Sequence, residues 1–124
     1  MDKTILNNAV KLINLIQSEK SCITVKDFIL KYPDYFKDIQ IKSLILSNNS
    51  DAETDYVYII GYYIYFQKTK KPVTWFQRRR FAKYDTPKKW KEIFQKTLSI
   101  NPESRFKTLK QLKEHLLKTI ENSN

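Results

Sequence analysis

The sequence predicts a mainly helical α+β domain, with an N-terminal three-helix unit, a short aromatic β segment and C-terminal helices. Three observations lead there. Apolar residues recur at helical spacing towards both ends of the chain, and one internal run, Tyr56 to Phe66, is dense in β-branched and aromatic residues. Helix-start signals stand at Thr24, Asp85-Thr86-Pro87 and Asn101-Pro102-Glu103. The 124 residues divide into a neutral helical unit with the aromatic segment (1–66) and a basic helical extension (67–124), packed as one domain.

Ile5, Leu6, Ala9, Val10, Leu12, Ile13, Leu15 and Ile16 form an apolar stripe opposite Asn7, Lys11, Asn14 and Gln17, which predicts a helix over 3–18. Thr24 caps a second helix carrying Val25, Phe28 and Ile29, and Pro33 ends it. A third helix is read over 36–46, although the Ile39/Ile41 pair also suits a strand. Residues 47–53 are a polar loop. The aromatic run that follows reads as a hairpin turning at Ile60-Gly61 or as one buried strand, with a helix the less favoured third option. Thr69 to Pro72 is a basic turn, and Val73 to Tyr84 a helix carrying Trp75, Phe76 and three arginines. The next helix buries Trp90, Ile93, Phe94, Thr97 and Leu98, and the last presents Phe106, Leu109, Leu112, Leu116, Leu117 and Ile120. Three helices and then an aromatic two-strand segment is the order of a winged helix-turn-helix domain, with 36–46 as recognition helix and 55–66 as wing.

An apolar fraction of 41% and an aromatic fraction of 14% support a real core and argue against disorder. A single glycine, Gly61, leaves no material for phosphate-cradling glycine loops. Cys22 has no disulfide partner and reads as a small buried hydrophobe. The N-terminus lacks secretory signal features, and the longest apolar run, Val57 to Phe66, has about half the length a membrane span needs. The expectation is an intracellular protein, cytoplasmic or nuclear, that does not meet membranes.

The net charge of +10 is unevenly placed. Residues 1–54 hold seven lysines and seven acids, whereas 67–91 hold ten bases against one acid, Asp85. A block of this kind repels itself unless solvated or matched by an anionic partner. Lys70, Lys71, Arg78, Arg79, Arg80, Lys83, Lys88 and Lys89 are therefore the candidate phosphate contacts. The tyrosines at 56, 58, 62, 63 and 65, with Phe66, offer a stacking platform for single-stranded bases or, more simply, one half-buried aromatic strand face.

Two short stretches resemble known families. Trp75-Phe76-Gln77-Arg78-Arg79-Arg80 resembles the homeodomain recognition-helix string WFQNRR, with Arg78 where that family has its adenine-reading asparagine. The resemblance implies a helix that tracks phosphates. Phe94 to Leu112, with Asn101-Pro102-Glu103-Ser104-Arg105, resembles the end of a protein-kinase C-lobe, and Gly61 precedes Pro72 by a spacing similar to that family's F-helix region. The likeness makes Arg105 the counterpart of an arginine that pairs with a buried glutamate. The glycine-rich loop, HRD and DFG motifs of kinase catalysis are missing from the sequence.

Other catalytic chemistry finds little material. His115 is the sole histidine and reads as a helix-surface residue, the carboxylates are scattered, and Cys22 or a serine would have only that histidine to serve as base. The expectation is a small, non-catalytic, cofactor-free protein that binds DNA or RNA, alone or inside a larger nucleoprotein assembly. The alternative is a protein-interaction module, a degenerate kinase-lobe remnant or viral assembly subunit, without nucleic-acid contact.

Overall fold

The computed structural model describes residues 2–19, 24–36, 53–70, 88–99 and 101–122. Among them are five α-helices, α1 (Asp2–Ser18), α2 (Val25–Lys31), α3 (Glu53–Thr69), α4 (Lys88–Thr97) and α5 (Leu109–Glu121), with 3₁₀ turns at Pro33–Tyr35 and Pro102–Ser104. No strand occurs among the described residues.

Each amphipathic segment folds for a local reason. Helix α1 buries Leu6, Ala9, Leu12, Ile13 and Ile16 along one stripe and packs against α3 and α5. The Thr24 hydroxyl accepts the backbone N–H of Asp27 at 3.1 Å, so one of the four orphan donors at the start of α2 is satisfied. Pro33 stops the helix and opens the 3₁₀ turn. In α4, Trp90, Ile93, Phe94 and Thr97, with Leu98 just beyond, are all buried at the spacing of one helical face. Asn101-Pro102-Glu103 starts only a 3₁₀ turn, and α5 begins later, where the Thr108 side chain accepts from Gln111 N at 3.1 Å. Leu117, expected on the apolar stripe of α5, is 44% exposed, and Phe106 lies before the helix.

The main correction concerns the aromatic segment. Residues 55–66 are neither a hairpin nor a wing. They form the middle of α3, so the α+β class and the winged-helix-like layout do not hold. The reason is burial on all sides. Helix α3 packs against α1, α4 and α5, while Phe28 of α2 and Tyr35 of the first 3₁₀ turn lie against Tyr56 and Tyr63, at ring distances of 6.1 and 6.0 Å. Every residue from Asp55 to Tyr65 is buried. A helix enclosed all round has no polar face, so the 3.6-residue period that identifies helices vanishes from its sequence. Tyrosine and isoleucine cost a helix only about half a kcal/mol each relative to alanine, while burying each side chain returns about 1.5–3 kcal/mol.

Glu53 and Asp55 stand in the first turn of α3 and Lys68 in the last, each sign where the helix dipole favours it. Gly61 marks a close helix crossing instead of a hairpin turn. It faces Thr97 and Leu98, while Tyr65 meets Phe94 and Lys68 meets Trp90, so α3 and α4 run antiparallel in register. The helices read over 36–46, where only Phe36 is described, and over 73–84, with most of the polar loop before Glu53, the Asp85-Thr86-Pro87 cap and Cys22, lie outside the described residues.

Candidate nucleic-acid interface

The C-terminal end of α3 and the N-terminal end of α4 meet through aromatic rings. Tyr65 packs edge-on against Phe94 (centroids 5.4 Å apart, 72°), and Phe94 stacks on Trp90 (5.9 Å, 22°). Trp90 is only 1% exposed. Two ammonium groups sit against its indole, Lys68 Nζ at 4.9 Å and Lys89 Nζ at 5.7 Å from the ring centroid. Both lie inside the roughly 6 Å over which the ring quadrupole attracts a cation. Lys70 lies just past α3, exposed, and its backbone N–H donates to Phe66 O at 2.7 Å to close the helix. Its φ of 59° places a lysine in the left-handed region that glycine adopts at least cost.

The predicted site is thus described at its two feet. Lys70 and Lys89 come to the same end of the α3–α4 pair, and Lys88 is the first residue of α4. Lys71, Arg78, Arg79, Arg80 and Lys83, and the homeodomain-like string, lie outside the described residues. Sequence reasoning missed Lys68, which shares Trp90 with Lys89. The signal was available, because Lys68 opens the basic block two residues before Lys70. The tyrosine platform is corrected: Tyr56, Tyr58, Tyr62, Tyr63 and Tyr65 are at most 9% exposed and fill the core, where no base can stack on them.

A buried ion pair fastens the opposite end of α3. Arg105 and Asp55 side chains are fully buried, with Nη1 donating to Oδ1 at 3.2 Å. Arg105 also donates to Ser99 O at 2.8 Å and Thr54 O at 3.3 Å, and its guanidinium stacks 4.6 Å from the Tyr58 ring centroid. Glu53 accepts Leu109 N–H at 2.9 Å, which joins the first turn of α3 to the start of α5. The buried arginine implied by the kinase-lobe likeness therefore has Asp55 of α3 as its carboxylate. With both side chains of the ion pair fully buried, its task is to hold the fold.

Two further polar clusters lie elsewhere. Glu19 accepts hydrogen bonds from the Tyr32 hydroxyl and from Lys31, which together hold its carboxyl below the usual range. His115 lies beside Phe106 with Nε2 buried and without a hydrogen-bond partner, and Glu92 Oε2 is 3.9 Å away. Burial lowers its pKa, Lys96 and Lys118 push the same way, and Glu92 opposes them. Among the described residues no three His, Cys, Asp or Glu side chains are grouped to hold a metal ion, and no helix is long and apolar enough to cross a membrane. Compared with protein-family models, curated proteins and solved structures, the chain matches none.

Proposed function

We propose that this chain is a small nucleic-acid-binding protein without catalysis of its own, which neutralises backbone phosphates through the basic stretch 68–91. The observation that carries this reading is the gathering of Lys68, Lys70 and Lys89 around one end of the α3–α4 pair, where that stretch leaves and rejoins the helical core. Lys71, Arg78, Arg79, Arg80, Lys83 and Lys88 supply the remaining charge. Binding is driven by counterion release and carries little sequence information, because phosphate contacts position a protein without reading bases.

Fluorescence anisotropy with labelled duplex DNA, single-stranded DNA and structured RNA at 50 and 200 mM salt tests it. Engagement of about five phosphates on duplex DNA gives a slope of log K against log salt of about −4 to −5. Alanine at Arg78, Arg79 and Arg80 then removes most of the binding. Weak, salt-insensitive binding to all three polymers sinks the reading.

A second reading, a protein-interaction module meeting an acidic partner, is favoured by one observation: the kinase-lobe-like stretch carries a buried, fully bonded Arg105 at the foot of a central helix. In that case changes at Leu30 and Leu117, the large apolar side chains exposed among the described residues, damage partner binding more than loss of the arginines does.

A further inference from the structure

We propose that the meeting place of α4, α5 and the Phe106 segment between them is a proton-operated joint, packed while the His115 ring is uncharged and loosened once that ring takes a proton. The joint operates without a ligand, whatever the chain binds. Helices α4 and α5 each pack on α3. Between them, the His115 ring of α5 lies against the Phe106 ring, with centroids 5.3 Å apart and planes tilted by 47°. Lys96 Nζ of α4 lies 5.5 Å from the same Phe106 centroid, and Phe106 N–H donates to Lys96 O at 2.8 Å. His115 therefore supports the ring that closes this segment onto the last turn of α4.

The chemistry follows from the surroundings of one nitrogen. His115 Nε2 is buried without a hydrogen-bond partner, and Glu92 Oε2 of α4 stands 3.9 Å off, too far to bond. A neutral imidazole leaves one polar atom unmet there, whereas an imidazolium would leave a charge. Burial disfavours the imidazolium first, Lys96 and Lys118 repel it, and Glu92 attracts it. Among the described residues no charge of α1 or α3 acts on the ring. Glu92 is 46% exposed, so water screens its attraction. A proton on His115 thus sets a second cation beside Lys96 at the Phe106 ring. The packed joint holds the pKa of His115 below its ordinary value of 6.5, and an opened joint restores it. The opened form then binds more protons from 6.5 down to the packed form's pKa, so opening grows as pH falls through that window.

His115 is the sole histidine, so its ring proton gives one NMR resonance to follow from about pH 7.5 to 5.5. It should titrate below 6.5, and lower still in E92Q, which removes the attracting carboxylate. Amide hydrogen exchange at Phe106 reads the joint itself. After correction for the intrinsic pH dependence, its opening should rise by up to about tenfold for each pH unit through the window. Amides in the middle of α3 report unfolding of the whole chain, and Phe106 should exchange at least about tenfold faster than they do. H115Q should remove the pH dependence at Phe106, and E92Q should enlarge it. A histidine that titrates at or above 6.5 overturns the proposal, as does an E92Q titration that is unchanged or raised. Phe106 exchange that lacks a pH dependence, keeps it in H115Q, or merely matches the α3 amides overturns it too.

Discussion

Replacing Gly61 by alanine puts a methyl group where the α3–α4 crossing has no room for one. A Cβ built on Gly61 lies 2.2 Å from Thr97 Oγ1, 2.4 Å from Thr97 Cβ and 3.3 Å from Leu98 Cδ2. Rotating the threonine relieves only the first contact, because its Cβ is fixed to the backbone. That rotation also gives up the 2.7 Å hydrogen bond from Thr97 Oγ1 to Ile93 O. Carbon atoms pack at about 3.5–4.0 Å, so the two helices must part by more than an ångström. Overpacking on this scale costs about 3–4 kcal/mol, at or above the upper end of the usual range. Alanine returns about 1 kcal/mol through its better helix propensity. The net expectation is a loss of about 2–3 kcal/mol, or a fall in Tm of roughly 8–12 °C for a chain of this size.

Urea unfolding followed by far-ultraviolet circular dichroism measures this directly, and it needs no ligand. Thr97→Ala should not rescue Gly61→Ala, because its Cβ remains, whereas Thr97→Gly should restore the space. A double-mutant cycle for Gly61→Ala and Thr97→Gly should then give a coupling of at least about 1 kcal/mol. If Gly61→Ala unfolds at the parent midpoint or above it, the antiparallel register of α3 on α4 is wrong.

Asp55→Ala leaves the Arg105 charge buried without its partner and should cost about 3–5 kcal/mol in urea unfolding, with much of that recovered in Asp55→Ala/Arg105→Met. Lys70→Gly removes a side chain from a left-handed position and should stabilise the fold by about 0.5–1 kcal/mol, while weakening binding to duplex DNA. His115 has a lowered pKa in the fold, so in the window below its ordinary value of 6.5 the unfolded chain binds more protons there. Stability should therefore fall as pH drops through 6.5 towards the folded pKa, and a His115→Gln variant compared by thermal unfolding from pH 7.5 to 5 should lack this share of the decline.

The amphipathic helices were legible because each has one wet face. The stripe of α1, the Thr24 cap of α2 and the buried set of α4 follow from spacing and capping chemistry alone. Helix α3 was not legible from periodicity, since enclosure on every side removed the polar positions that would have shown it. Its ends did carry a signal, in the acids at 53 and 55 and the lysine at 68, at a separation that suits four turns of helix and is long for a strand. The buried pair of Asp55 with Arg105 joins residues 50 apart in the chain, and no local pattern announces such a contact. For the candidate interface, charge density named Lys70 and Lys89, which the fold places at the same end of the α3–α4 pair. The meeting of Lys68 and Lys89 at the Trp90 ring depends on the antiparallel crossing and so could not be read from composition.

The placement of charge at that crossing bears on function because it runs against local stability. The end of α3 is the negative pole of its dipole and suits Lys68, but the start of α4 is a positive pole. Helices ordinarily place aspartate or glutamate there, and each suitable charge contributes about 0.3–1 kcal/mol. Helix α4 has no acid in its first turn and has Lys88, Lys89 and Lys91 among its first four residues instead. A sequence shaped for stability alone would have placed acids there. Cations retained against the dipole, beside Lys70 in a backbone conformation that favours glycine, are what an anionic partner supplied by the solution would offset. Accordingly, Lys88→Glu/Lys89→Glu should raise the thermal midpoint by a few degrees while abolishing salt-dependent binding to duplex DNA. A variant that gains stability and still binds would mean that the cations at this end serve neither the fold nor a polyanion.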